Sequence, residues 1–285
     1  MSFSIFIQTL NEEINLPGLL DSVAFADDIV VLDSFSRDRT KDIAIGAGCR
    51  WFEREFDGRA SHQNWAMENI DFVHRWVFYL DADERMTDEL RAELDSIVAA
   101  WDAGHFDVEK GSPVAYFCGR KNYFRGRWLK HSMPPSDILR FFQPQRVRFE
   151  RLANPVPRVD GNTGYLRSHF LHYNFSKGLS EWFDRHNRYS SYEAIENTKA
   201  IHGNPVRFIN FLSRDRNKRR MELKNWSFRM PGRPFLKFIF LYFFNLGFLD
   251  GRPGLTYCIL QAIYEYQIVL KVKEIIRSER GLPPS

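Results

Sequence analysis

The first half of this sequence predicts an α/β domain with a mixed, mainly parallel sheet flanked by helices, and three observations carry that reading. Short apolar runs alternate with stretches of helical periodicity, the pattern that joins parallel strands through right-handed crossovers. Polar clusters at Thr9-Leu10-Asn11-Glu12, at Asp33 and at Asp81/Asp83 each close one of the apolar runs. Ligands of such sheets lie outside the carboxyl ends of the strands, so clusters placed there converge on one crevice.

Taken in order, Ser4 to Thr9 reads as a strand and Glu12 to Ala24 as a helix. Asp28 to Asp33 is a second strand, and Arg39 to Gly46 a helix that stops at glycine. A short strand near Arg50-Trp51-Phe52 precedes a helix from Ser61 to Asn69. Trp76-Val77-Phe78-Tyr79-Leu80 is short, aromatic-rich and β-branched, the signature of a buried strand, and Asp88 to Ala100 follows as a helix. From Pro113 to about Tyr173 the chain is richer in Gly, Pro and aromatics and predicts shorter strands and loops. Helical patterns return over Leu179 to Ile201 and, after the turn Asp250-Gly251-Arg252-Pro253-Gly254, over Leu255 to Ile276. The resulting division is an α/β domain over 1–178 and a helical extension over 179–285.

A chain of 285 residues, 44% hydrophobic, can bury a substantial core. Its three cysteines, Cys49, Cys118 and Cys258, are far apart and lack CxxC spacing. That excludes a disulfide scaffold or a structural zinc site and suits a reducing compartment. No basic, apolar, small-residue signal pattern precedes the first strand, so the expected location is cytoplasmic. A net charge of +4 is mild, and its distribution matters more than its total.

Asp81-Ala82-Asp83-Glu84 follows the Trp76–Leu80 strand directly. Side chains at i and i+2 of a strand point the same way, so Asp81 and Asp83 are placed to share a hard cation. Oxygen ligands of this kind suit Mg²⁺ or Mn²⁺ when a substrate's phosphate oxygens complete the shell. The competing reading is an acidic helix start, because Thr87-Asp88-Glu89-Leu90 opens a helical pattern shortly after.

Laid out this way, the chain resembles the family 2 glycosyltransferases, especially the bacterial enzymes that build lipopolysaccharide core and other cell-surface glycans. Thr9-Leu10-Asn11-Glu12-Glu13 is similar to the family's first nucleotide-contacting turn, and Val30 to Thr40 to its second. Leu80-Asp81-Ala82-Asp83-Glu84 is similar to its metal motif. Lys121-Asn122-Tyr123-Phe124-Arg125-Gly126-Arg127-Trp128 and Leu171-His172-Tyr173 match its later acceptor-side and histidine segments. The resemblance spans most of the chain and implies a GT-A-type domain, a nucleoside-diphosphate-sugar donor, most simply a UDP-sugar, and Mn²⁺ or Mg²⁺.

It also implies roles. Asp81 faces the ribose and Asp83 the metal, while His172 completes the metal or diphosphate site. Asp33 accepts hydrogen bonds from the base or ribose, and Thr9, Asn11 and Glu12 frame the same pocket. Arg59, in the donor-approaching segment with His62 and Asn64, contacts the diphosphate or is a surface arginine at a helix start. Asp38 reads as a helix cap. Inverting transfer needs a carboxylate base. Close relatives carry an Asp just after a proline ahead of Arg-x-Phe, and later a Val-His-Glu. Here the first reads Pro135-Ser136-Asp137-Ile138-Leu139-Arg140-Phe141-Phe142, with the aspartate displaced by one, and the second Ala153-Asn154-Pro155, without an acid. Asp137 is the first candidate base, with Glu150 and Asp160 behind it.

Between Arg214 and Arg233 stand eight basic residues against two acidic ones, and an aromatic-rich run, Phe235 to Leu249, follows at once. That run is too short, and too interrupted by Lys237 and Asn245, to span a bilayer, which takes about 20 apolar residues. A basic block beside an aromatic one, about 214–249, fits a monotopic element lying on an anionic membrane; a buried helix beside a solvated basic run is the alternative. No nucleic-acid motif accompanies the patch. The expected function is metal-dependent sugar transfer to a lipid-linked or lipopolysaccharide-type acceptor at the inner face of the membrane. A polyprenyl-phosphate glycosyltransferase and a non-catalytic nucleotide-sugar binder are the alternatives.

Overall fold

The computed structural model describes residues 3–150, 155–203, 213, 215–230 and 232–283. Arg214 of the basic block, and Ala153 and Asn154, lie outside the described residues. The chain folds as two compact units, Met1–Tyr123 with Pro134–Ser176, and Phe124–Met133 with Lys177–Ser285. The units part at Ser176/Lys177, and the second also takes in Phe124–Met133, a segment that the sequence reading left in the first.

In the first unit the elements run β1 (Ser4–Thr9), α1 (Leu16–Ser22), β2 (Ile29–Asp33), α2 (Thr40–Gly46), β3 (Arg50–Glu53), α3 (Arg59–Asn69), β4 (Val77–Asp81), β5 (Glu84–Arg85), α4 (Asp88–Asp102) and β6 (Pro113–Phe124). The short β7 (Arg127–Trp128) belongs to the second unit, and the first resumes with β8 (Asp137–Phe142), β9 (Val147–Glu150), β10 (Val156–Val159) and β11 (Asn162–His172). The main sheet runs β3-β2-β1-β4-β8-β6-β11-β5, and β9 and β10 form a separate antiparallel ribbon. β1, β2, β3 and β4 pair in parallel, as do β6 and β11; β8 enters antiparallel to both β4 and β6.

Central strands buried on both faces explain the near-continuous apolar runs. On β1, Ile5 and Ile7 pack with Leu16 and Leu19 of α1 and Leu90, Leu94 and Val98 of α4. Phe6 between them packs the other way, with Ala60, Ala66 and Met67 of α3 and Phe149 of β9. Helix α1 is shorter than its periodicity suggests, because the Glu12 carbonyl closes a turn onto the Asn15 and Leu16 amides and Pro17 then fits the first helical turn. The segment read as short strands and loops contains the two longest strands, β6 and β11. Their register shifts at Tyr116/Phe117 and between Tyr165 and His169, which breaks the two-residue alternation that would have betrayed them.

The second unit is helical: α5 (Gly178–Gly203), α6 (Arg216–Ser227), α7 (Arg233–Ile239), a π-helical turn (Phe240–Phe244), a 3₁₀ turn (Gly247–Asp250) and α8 (Gly251–Glu279). Ala194 of α5 packs on Ile268 and Val272 of α8, and Lys271 donates to the Asn187 carbonyl and to Ser190 of α5. Asp250 accepts from the His131 and Ser132 amides at 3.0 and 2.7 Å. No single described helix is long and apolar enough to cross a membrane; Arg233–Phe244 and Gly247–Glu279 meet at a 72° bend.

Candidate active site

Parallel register brings the strand ends together: Thr9 lies opposite Asp33, and Gln8 opposite Asp81. Asp33 is fully buried. Its Oδ1 accepts from Thr9 Oγ1 at 2.6 Å and its Oδ2 from the Ser36 amide at 2.6 Å. The loops after β1 and β2 are laced to each other. The Asn11 amide donates to Ser36 Oγ at 2.7 Å, the Arg37 amide to Asn11 Oδ1 at 2.8 Å, and the Glu12 amide to Thr40 Oγ1 at 2.7 Å. Asp38 accepts from the Thr40 amide at 3.0 Å just ahead of α2, while the N-cap position itself is Arg39 and makes no side-chain cap bond.

A cleft of about 510 Å³ opens on these loops, lined by Leu10, Asn11, Ser34, Phe35, Arg37 and Glu55. That volume falls in the range of small-molecule sites. Asn11 and Phe35 adopt φ of 54° and 61°. For a bulky side chain such backbone costs about 1–3 kcal/mol and is held only where surrounding bonds impose it, a feature that clusters at functional sites. Sequence reasoning did not single out Phe35; its one signal is an aromatic residue between two serines in a polar turn.

β4 ends at Asp81, and the chain turns over through Ala82 and Asp83 before β5, so the two aspartates part company. Asp81 accepts from Arg59 Nη2 at 2.7 Å, Arg140 Nη2 at 2.9 Å and the Tyr79 hydroxyl at 2.5 Å. Burial pushes its carboxyl up, but the Arg59 and Arg140 guanidiniums outweigh that and hold it well below the usual carboxylate range. Gly58, at φ 139°, supplies the backbone bend from which α3 starts with Arg59 over Asp81. Arg59 is therefore a partner of Asp81 here. His62 is buried, its ring nitrogens 3.1 Å from Gln8 Nε2 and 3.2 Å from the Arg54 carbonyl, and Asn64 brackets Phe149 of β9 with two 2.8 Å bonds.

Glu84 is fully buried; it accepts from the Asp81 amide at 2.8 Å and from Arg140 Nη2 at 2.7 Å. Burial raises its carboxyl above the ordinary range and the neighbouring Asp81 and Asp83 add to the rise, against the pull of Arg140. Neither Glu84 nor Arg140 was singled out as a site residue. The available signal was an arginine inside the apolar strand Ile138–Phe142, since a buried cation must be paired.

Two-residue β5 pairs antiparallel with β11, setting His172 opposite Glu84. The pairing brings His172 Nε2 to 3.4 Å from Asp83 Oδ2, and the Tyr173 amide donates to the Asp83 carbonyl at 2.8 Å. On the far side of the ring, Nδ1 is 2.8 Å from Oδ1 of buried Asn122. In the tautomer that donates to Asn122, Nε2 presents its lone pair toward Asp83. A carboxylate and an imidazole so arranged are two donors for a divalent cation. No group of three or more His, Cys, Asp or Glu that could hold a metal ion stands together among the described residues, so the remaining ligands would be water or substrate oxygens. The helix cap that competed with the metal reading is Thr87, whose hydroxyl accepts from the Leu90 amide at 3.2 Å.

Asp137 opens β8, exposed, and because β8 runs antiparallel to β4 it stands at the same end of the sheet as Asp81. Glu150 lies in the separate β9–β10 ribbon and pairs with Arg158 at 2.9 Å, and Asp160 pairs with Arg146 at 3.3 Å. The geometry thus gathers Thr9, Asn11, Glu12, Asp33, Arg59, Asp81, Asp83, Asp137 and His172 at one sheet end, and leaves Glu150 in the ribbon.

The sequence model described as "Glycosyl transferase family 2" matches residues 4–173, more than half of the chain. The chain belongs to glycosyl transferase family 2. Its fold is of the GT-A type and its activity that of a nucleotide-sugar glycosyltransferase. This family 2 enzyme is 26% identical to the lipopolysaccharide core biosynthesis glycosyltransferase LpsC of Rhizobium meliloti, over 94% of this chain and 93% of the relative. It is 23% identical to an uncharacterized glycosyltransferase of Rickettsia typhi, over 98% of this chain and 89% of that one. Among solved structures it matches S. aureus TarS 1–349 at 14% identity and a TM-score of 0.41, covering 99% of this chain and 92% of that one.

Proposed function

We propose that this glycosyltransferase moves a sugar, with inversion, from a UDP-sugar to a lipid-linked, lipopolysaccharide-type acceptor, with Mn²⁺ or Mg²⁺ as cofactor. The observation that carries the reading is the Asp83–His172 pair, 3.4 Å apart, oriented by Asn122, at the same sheet end as the cleft lined by Asn11, Ser34 and Phe35. The nucleoside would enter that cleft, with Asp81 at its ribose edge and Asp83 and His172 toward the diphosphate. A divalent cation held there supplies charge neutralisation as the leaving diphosphate gains negative charge. Asp137, exposed at the same sheet end, takes the proton of the acceptor hydroxyl as its oxygen attacks the anomeric carbon and the bond to the phosphate oxygen breaks. The name of the Rhizobium relative supports the acceptor class.

The place of work we infer is the cytoplasmic face of the membrane. α7 buries none of its residues, and Phe235, Phe240, Phe243 and Phe244 are exposed, the last at 74%. Arg216, Lys218, Arg219 and Arg220 of α6 are exposed as well, and each cation near an anionic surface is worth about 1 kcal/mol.

Calorimetric titration with UDP, GDP, dTDP and CMP, with and without Mn²⁺, tests the donor site. UDP should bind, the metal should strengthen binding, and Asp83→Ala or His172→Ala should abolish that strengthening. Metal-independent binding that both variants retain would remove the pair from the site.

A further inference from the structure

We propose that Asp137, His169 and Tyr165, on strands β8 and β11 beside this site, form an acceptor platform for at least two pyranose rings of an oligosaccharide; the assignment rests on the sugar-transfer reading above. Across three neighbouring strands, Gly119 pairs with Asp137 on one side and His169 on the other. A side chain at Gly119 would meet the His169 ring at 2.6 Å and lie 3.5 Å from Asp137 Oδ1. The glycine therefore lets the His169 ring lie directly over β6, with the Asp137 carboxylate on the neighbouring strand beside it. Two residues back along β6, Phe117 pairs with Tyr165, their rings stacked 5.4 Å apart at 23°. Tyr165 is nonetheless 68% exposed.

A pyranose offers an apolar C–H face and a rim of hydroxyls. An exposed aromatic ring held flat against another suits the first, because ordering it on binding costs little. Asp137 can accept from a hydroxyl, and His169 can accept from or donate to one. The two rows contain no lysine or arginine, so they are not built for a phosphate. Strand rise of about 3.3 Å per residue sets the aromatic row about 7 Å from Gly119, on the side away from His172. With the reacting hydroxyl at Asp137, the next sugar of the chain would lie on Tyr165. A bare polyprenyl phosphate would leave that row uncovered.

The probe is the pooled core oligosaccharide released from rough-type lipopolysaccharide by mild acid, titrated into the full-length protein and compared with methyl monosaccharides. Wild-type protein should bind the oligosaccharide more tightly than the monosaccharides. Tyr165→Ala should weaken it about tenfold, Tyr165→Phe should restore it, and His169→Ala should weaken it while UDP binding stays unchanged. No oligosaccharide binding by the wild type, or unchanged binding by Tyr165→Ala, overturns the proposal. Failure of the wild type to bind UDP counts against the donor site instead, and the saccharide titration is read independently of it.

Discussion

Arg140 serves two carboxylates from one nitrogen, Asp81 at 2.9 Å and Glu84 at 2.7 Å, and its guanidinium lies 4.4 Å from the Tyr79 ring. It is 1% exposed, so removing it leaves fully buried Glu84 without its cation, while Asp81 keeps only Arg59. Arg140→Met keeps most of the volume and none of the charge; it should cost about 3–5 kcal/mol in urea unfolding. Asp81 gives the region its response to acid. Its carboxyl ionises at lower pH in the fold than in the unfolded chain. Its contribution is therefore complete above the ordinary value of 3.8 and is lost as pH falls toward the folded value. From about pH 5 down to about pH 3, the urea midpoint of wild type should fall more steeply than that of Asp81→Asn. The roles of Arg140 and Glu84 were not legible in the sequence, because each depends on strands 56 residues apart meeting in one register.

At the scale of elements, helix α4 and the two-residue β5 hold the Asp83–His172 half of the site. Thr87 caps α4 through the Leu90 amide, and its hydroxyl also donates to the His169 carbonyl of β11 at 3.2 Å. Asp88 and Glu89 in the first turn add favourable charge at the helix N-terminus. Thr87→Ala should cost about 1 kcal/mol of unfolding free energy, measured by urea titration at neutral pH. This cap was legible from Thr87 and the acidic pair behind it, and so were α2, α3 and α4 to within two residues. β6 and β11 were not, since bulges interrupt their alternation.

At the scale of the whole molecule, the helical unit carries the most exposed aromatics. Phe240 and Phe244 lie with rings 6.4 Å apart in the π-helical turn. Vesicles containing anionic lipid should retain the protein in flotation assays better than neutral ones, and raised salt should weaken retention. Phe240→Ser with Phe244→Ser should release it with no loss of thermal stability, because both side chains are exposed. Equal retention of the double variant would mean that this turn does not meet the bilayer.

By itself the sequence determined the strand–helix alternation, the sheet class, the polar strand ends and the Asp81-Ala82-Asp83-Glu84 motif. These follow from local periodicity and turn chemistry, which act over a few residues. Only the tertiary structure decided which partners those residues keep. The antiparallel entry of β8 delivers Arg140 to Asp81 and Glu84, and the brief β5–β11 pairing delivers His172 to Asp83. Such meetings are fixed by register between distant strands, and register is set by packing of the whole core rather than by any local pattern.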